Sequence, residues 1–292
     1  MTLPLLPRLT PDANKYSRGS LLILAGSSRY FGAGVLATQA AARSGAGYVT
    51  LATPGQQAAQ AARCHLLTTP VFEARDHAGA FADDALDDIT ANIWHHDAIV
   101  VGCGMTVTPS TRCFVRSVLA YAAAQNLPLL LDADALNALA QEANTLNALA
   151  QEMGTQEPLF SSTAQPVLTP HAGELHRLLA AFKQADSQAL AATLGAVVVA
   201  KGPQTAIVNA RRSEVLSKAP PALATAGTGD VLSGIIGALL AQGLTSFEAA
   251  YTGVALHSLA ANIAVKTTGE CSMIATDVIA ALPAASRQMT GL

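Results

Sequence analysis

The residues best placed to do chemistry are Thr225-Ala226-Gly227-Thr228-Gly229-Asp230, followed by the apolar run Val231-Leu232-Ser233-Gly234. Gly227 and Gly229 have no Cβ, so the backbone can turn sharply there and come close to a ligand. A helix opening near Asp230 aims its unpaired N–H groups and positive dipole end back at that turn. Gly227, Thr228 and Gly229 then form an anion hole suited to a phosphate. The plainer alternative makes Asp230 only a favourable helix-start residue, worth about 0.3–1 kcal/mol. That accounts for the aspartate but not for two glycines around a threonine, which cost helix stability.

Three further segments end an apolar run with polar groups. In Leu130-Leu131-Asp132-Ala133-Asp134-Ala135-Leu136-Asn137, two carboxylates and an amide stand where a buried strand becomes a helix. One carboxylate could cap the helix; the second is left for metal or phosphate-water handling. In Thr169-Pro170-His171-Ala172-Gly173-Glu174, Pro170 sits near a first helical position. Glu174 can complete a capping arrangement with Thr169 or the neighbours of Pro170. His171 would project at the same sheet edge as Asp132, and a structural and a functional role for it both stay open. In Lys201-Gly202-Pro203-Gln204-Thr205, a lysine closes a β-branched strand and Gly-Pro turns away, as a nucleotide-edge turn would. Taken alone, a snorkelling strand-end lysine explains that segment equally well.

The elements that must position these groups alternate. Strands are expected at Leu21–Ala25, Tyr48–Ala52, Ala98–Val101, Leu129–Asp132, Val167–Thr169 and Val197–Lys201, then a hairpin pair at Thr205–Asn209 and Glu214–Leu216. Helical patterns include Val35–Ser44, Ser110–Asn126 and Ala172–Ala180, and from Asp230 to Val265 two long helices break near Gly243. Repeated βα units imply an α/β fold with a mostly parallel central sheet flanked by helices. Ligands then bind outside the carboxyl ends of the strands. No Pro/Gly/Ser-rich linker divides residues 1–292, so a single domain is expected. Asn137–Glu142 recurs as Asn147–Glu152, which reads as a duplicated stretch lengthening one helix.

Other classes are disfavoured. Gly32-Ala33-Gly34-Val35-Leu36-Ala37 matches a dinucleotide fingerprint, yet it starts seven residues past its strand, and no acidic residue ends the next strand. Walker-type and nucleophile-elbow motifs are missing. A net charge of −3 offers no basic field for nucleic acid. The four cysteines, Cys64, Cys103, Cys113 and Cys271, lack C-x-x-C spacing, which fits a reducing compartment. Met1–Leu9 lacks a signal-peptide core, and no apolar run reaches the roughly 18 residues of a membrane span, so a cytoplasmic location is expected.

Gly227-Thr228-Gly229-Asp230 opening a helix resembles the anion hole of the ribokinase-like superfamily, which implies a three-layer sandwich. The ordered set of Gly26–Ala33, Gly102-Cys103-Gly104, Asp132–Asn137, Thr169–Glu174, Lys201-Gly202 and Gly227–Asp230 is more particular. From roughly Lys15 to Leu282 it resembles the ADP-dependent NAD(P)H-hydrate dehydratases, the C-terminal domain of YjeF-type repair proteins. That resemblance implies dehydration of the S form of NADHX or NADPHX at the expense of ADP, giving AMP and phosphate. It places Ala33, Gly104, His171 and Asp230 on the hydrated dinucleotide, and Lys201, Gly202, Pro203, Gln204, Thr205 and Gly229 on the nucleotide. Asp230 would be the catalytic base, with Asp132, Asp134, Asn137 and Glu174 in support. ADP, with ATP as the alternative, and Mg2+ are the implied cofactors, and no residue set is assigned to a resident metal. The resemblance implies a homotetramer, and because it begins almost at the first residue, a separate NAD(P)H-hydrate epimerase is the implied partner. Cys103 departs from the family pattern, which commonly has proline between the two glycines. The runner-up is a kinase of the same superfamily acting on a vitamin-precursor alcohol, and a scaffold protein is a third reading.

Overall fold

The computed structural model describes residues 6–290 apart from 67, 94, 153–157, 161–163 and 217–218; side chains of 147–152 are outside the description. Among the described residues a nine-stranded sheet runs through the molecule, built from β1 (Ser20–Leu24), β2 (Tyr48–Pro54), β3 (Val71–Ala74), β6 (Ala98–Val101), β7 (Leu129–Leu131), β8 (Val167–Leu168), β9 (Val197–Ala200), β10 (Thr205–Val208) and β11 (Ser213–Leu216). A two-stranded hairpin, β4 (Asp76–His77) and β5 (Ala80–Phe81), stands apart. The sheet order is β11-β10-β9-β8-β7-β6-β1-β2-β3, parallel throughout except for β10, which is antiparallel to both neighbours. This is the mostly parallel, helix-flanked architecture expected. β3 and the β4–β5 hairpin were not expected, and β7, β8 and β9 each stop one residue early.

Strands covered on both faces read as continuous apolar runs, because successive side chains enter opposite cores. Leu21 and Ile23 of β1 join one buried cluster, with Val100, Leu130 and Val199, whereas Leu22 and Leu24 join the other, with Ile99, Leu131 and Val198. Covering the first face are α1 (Phe31–Arg43), α8 (Thr228–Ala241), α9 (Ser246–Thr268) and α10 (Ala275–Thr290). The opposite face carries α3 (Ala85–Asn92), α4 (Pro109–Ala124), α5 (Asp134–Glu152), α6 (Ala172–Phe182) and α7 (Ser187–Leu194). Helix α2 (Gln56–His65) follows β2. The break near Gly243 is present: Gly243 has φ +89 between α8 and α9, and Thr245 with Glu248 forms a capping box for α9. Helix α5 runs through both copies of the Asn137–Glu142 repeat, whose second copy has side chains outside the description. No helix among the described residues is long and apolar enough to cross a membrane.

The chain builds outward from β1 to β3, then returns to place β6 on the other side of β1. That reversal opens a crevice at the carboxyl ends of β1 and β6, where open α/β sheets bind ligands. Gly26 and Gly102-Cys103-Gly104 follow those two strands, and the Gly26 N–H donates to the Cys103 carbonyl at 2.8 Å.

Candidate active site

The carboxyl edge of the sheet gathers residues that are far apart in the chain. Gly227 is the N-cap of α8, with φ +89, a left-handed backbone that favours glycine, and no side chain caps the helix. The first N–H groups of a helix have no partner within it, so Thr228, Gly229 and Asp230 present donors outward. The Thr228 hydroxyl is not one of them, since it donates to the carbonyls of Leu223 and Thr225 at 2.8 and 2.9 Å and tethers the preceding loop. Gly229 is needed for space, not for a left-handed turn: a Cβ there would lie 3.3 Å from Lys201 Nζ and 3.8 Å from Asp132 Oδ2.

Asp132 is buried and fully engaged. Its Oδ1 accepts from Lys201 Nζ at 2.8 Å and its Oδ2 from Ser233 Oγ at 2.7 Å. Ser233 lies one turn into α8, so this bond ties the end of β7 to the helix that starts at Gly227. Burial works against the charge on Lys201, but Asp132, helped by Glu174, outweighs it and holds the ammonium above its usual range. Lys201 is a charged side chain held by Asp132, not a snorkelling strand-end lysine.

Asp230 stands beside this pair. Burial, then the charge of Asp132, raises its carboxyl to about 6, while contact with the Cys103 thiol and the charge of Lys201 pull the other way. Cys103 is wholly buried, and its thiol is held protonated by burial and by the two aspartates. One ligand atom each from Cys103, Asp132 and Asp230 lie within 4.8 Å of one another. They do not fit Mg2+, which demands near-octahedral oxygen ligands. One of the three is a protonated thiol, and Asp132 already holds Lys201 and Ser233. Any magnesium here would be carried by the phosphates of a nucleotide.

Asp132 and Asp134 do not act as a pair. Ala133 between them has φ +48, and Asp134 turns aside, its Oδ2 accepting the Thr106 N–H at 2.8 Å. Neither carboxylate caps α5; Asp134 instead braces the loop after Gly104. Asn137 also leaves the site, with Oδ1 accepting from Arg177 Nε at 3.0 Å.

His171 is the N-cap of α6, so Pro170 lies outside the helix and not at its first position. The His171 Nδ1 accepts from the N–H groups of Gly173 and Glu174 at 3.0 and 3.4 Å, and the His171 N–H donates to Glu174 Oε2 at 2.9 Å. With Nδ1 accepting, the neutral ring carries its proton on Nε2, which faces Glu174 Oε1 at 3.3 Å. Burial raises the Glu174 carboxyl, against the His171 N–H and Lys201. Glu174 therefore pairs with His171 in a capping box, not with Thr169. A parallel bridge joins His171 to Lys201, where the Lys201 N–H donates to the Pro170 carbonyl at 2.8 Å.

A cleft of about 700 Å³ opens from this edge, lined by His171, Lys201, Gly202, Pro203, Thr205 and Gly229 among others. Gln204 is not part of its wall. Thr205 steadies the turn, its Oγ1 donating to the Gly202 carbonyl at 3.1 Å. Gly104, next to Cys103, has φ +63, and a Cβ on it would strike the Tyr30 carbonyl and the Ala33 Cβ, so Ala33 and Gly104 pack closely together. The hairpin β4–β5 holds the loop leading to Ala33, since the Ser28 N–H donates to the Gly79 carbonyl at 2.8 Å.

Sequence reasoning missed Ser233, the placement of Cys103, and His257. His257, in the middle of α9, lines the cleft, and burial followed by the charge of Lys201 pushes its pKa down to about 4. Nothing in its helical neighbourhood marks it in the sequence.

The family described as NAD(P)H-hydrate dehydratase matches residues 21–284. A bifunctional NAD(P)H-hydrate repair enzyme Nnr from Salinibacter ruber is 38% identical over 98% of this chain and 51% of its own length. An ADP-dependent (S)-NAD(P)H-hydrate dehydratase from Neisseria meningitidis is 35% identical over 88% of this chain and 81% of its own. This chain thus spans about half the length of the bifunctional relative. Among solved structures, a ribokinase-like superfamily protein from Enterococcus faecalis aligns with a TM-score of 0.80 at 26% identity, covering 99% of this chain and 93% of that one. An ADP/ATP-dependent NAD(P)H-hydrate dehydratase from Bacillus subtilis, co-crystallized with ATP and Mg2+, aligns at 0.77 and 25% identity, covering 98% and 95%.

Proposed function

The chain belongs to the NAD(P)H-hydrate dehydratase family, and on that premise we propose that it dehydrates the S form of NADHX or NADPHX with ADP, releasing AMP and phosphate. One observation carries the reading: a half-buried carboxyl raised to about 6, Asp230, stands at the uncapped start of α8 beside Lys201 and the 700 Å³ cleft. A base near neutral pH must be mostly ionised yet able to hold a proton, and Asp230 meets both demands.

ADP lies in the cleft against Lys201, Gly202, Pro203 and Thr205, with its phosphates toward Gly229 and the open N–H groups of α8. The hydrated ring sits against Ala33, Gly104 and His171. Its hydroxyl oxygen attacks the terminal phosphorus of ADP, the bond to AMP breaks, and the hydroxyl proton passes to Asp230. The C–O bond then breaks toward phosphate as the ring nitrogen lone pair pushes in, and the adjacent carbon loses a proton to restore the reduced nicotinamide. Lys201 and the helix start stabilise charge on the moving phosphoryl group. Asp132 holds Lys201 in place. Mg2+, bound to the nucleotide, would neutralise phosphate charge.

The proposal extends to a homotetramer in the cytoplasm, to ATP as a second phosphoryl donor, and to an epimerase activity supplying the S form. Mixing purified protein, hydrated NADH and ADP should restore the NADH absorbance, with ATP run in parallel. No recovery with either nucleotide would overturn the reading. Phosphorylation of a small alcohol under the same conditions would favour the kinase alternative.

A further inference from the structure

The proposed reaction occupies the ring end of a dinucleotide and leaves its other half unseated. An open groove of about 760 Å³ begins at that end, with Val107, Asn137 and Arg177 among its lining residues. Val107 follows the loop that carries Gly104, which Asp134 locks to the head of α5 through the Thr106 N–H. On the opposite wall, a Cβ on Gly173 would lie 3.1 Å from His171 Cε1 and 3.7 Å from Arg177 Nη1. The imidazole and the guanidinium thus flank one point at the head of α6.

Arg177 is exposed and forms no ion pair among the described residues. Its Nε is pinned by Asn137 Oδ1 at 3.0 Å. An amide orients the guanidinium without neutralising it, as a carboxylate would, and leaves the Nη groups free to fork onto a phosphate. In a chain of net charge −3, an unpaired cation held in plane beside the ring site is complementary to an anion.

We propose that this groove seats the adenosine-phosphate half of the dinucleotide and that Arg177 grips one of its phosphates. The proposal rests on the reading of Gly104 and His171 as contacts of the hydrated ring. It goes beyond that reading by assigning a subsite and a specificity residue.

The test titrates wild type, Arg177→Ala and Ala180→Trp with NADPH, NADH and reduced nicotinamide mononucleotide, followed by nicotinamide fluorescence. Arg177→Ala should weaken NADPH about tenfold and the mononucleotide less than about twofold, the loss of one charge-assisted fork. Ala180→Trp, which fills the groove, should do the same. An equal loss for NADH assigns the grip to the diphosphate, and a loss confined to NADPH assigns it to the 2′-phosphate; both support the subsite. Equal weakening of all three ligands, no weakening of any, or a wild type that binds NADPH no tighter than the mononucleotide overturns it. Turnover of hydrated NADH is measured separately. Failure there with the titrations as expected would sink the catalytic reading and leave the groove standing.

Discussion

Two helices start at the same edge of the sheet and end up with opposite properties. Helix α6 begins at His171, whose ring and backbone engage Glu174 in a closed capping box. Helix α8 begins at Gly227, and no side chain reaches its first N–H groups. Both starts follow the chain's return to the carboxyl edge, and both carry an acid at the third helical position, Glu174 or Asp230. At α6 that acid satisfies the helix itself. At α8 it faces Lys201 and Asp132 across space that glycine keeps clear, and the donors remain for a ligand. A helix start becomes an anion site only where its own side chains decline to fill it.

Asp230→Asn should break the contrast most severely. Asn keeps the shape but cannot take the hydroxyl proton, so turnover should fall about 10²–10⁴-fold. ADP should still raise the melting temperature. Near-native rates would reduce Asp230 to a structural residue like Glu174.

Gly229→Val comes next. The branched side chain would enter the space beside Lys201 Nζ, with an expected loss of about 10²–10³-fold, the scale of removing one oxyanion donor. Circular dichroism should show the fold retained. Normal turnover would mean that this helix start is as closed in practice as that of α6.

The pH dependence sharpens the comparison more gently. Because Asp230 acts ionised, turnover should decline as pH falls through about 6. Cys103→Ala removes the thiol contact that favours the ionised form, so this acid limb should move upward; an unmoved limb would separate the thiol from Asp230. The stability effect has the opposite sense. The folded state raises this carboxyl from 3.8 to about 6, so it binds the proton more tightly than the unfolded chain. The resulting stabilisation is complete below the unfolded value and is lost as pH rises through about 6. In Asp230→Asn, melting temperatures measured between pH 4 and 7 should lose that slope.

The smallest effect belongs to α6. Glu174→Gln keeps an acceptor for the His171 N–H, so stability should change by less than about 1 kcal/mol and turnover by less than about threefold. A large loss of rate with normal melting would show that Glu174 acts on Lys201 and not merely on its helix.

Much of this edge was legible along the chain. The apolar runs of β1, β6, β7, β8 and β9 announced buried parallel strands, and each was followed by the polar or glycine residues of the site. Gly227-Thr228-Gly229-Asp230 announced a helix start with open N–H groups through the chemistry of its own residues, whereas Lys201-Gly202 read alone fitted a snorkelling strand end equally well. Short, half-buried β3 and the hairpin β4–β5 carried too little pattern to be seen, although the hairpin braces the loop before Ala33. Asp132, Asp134 and Asn137 looked like one functional group because they are close in sequence. A left-handed Ala133 sends the two carboxylates to different partners, and Asn137 faces α6.

What the sequence determined by itself was local: strand and helix periods, the glycine turns, and the residue types able to hold a phosphate or accept a proton. Such signals act within a few residues, where backbone sterics and side-chain alternation set the conformation. Only the tertiary structure decided which carboxylate is tied up by a cation and which is pushed toward neutrality. Asp132 and Asp230 are 98 residues apart in number yet both feel the charge of Lys201 and lie against Cys103. Burial and charge at that meeting point leave Asp132 bound to its lysine and raise Asp230 toward neutrality. Desolvation and Coulomb interaction depend on distance through space, and no spacing along the chain encodes them.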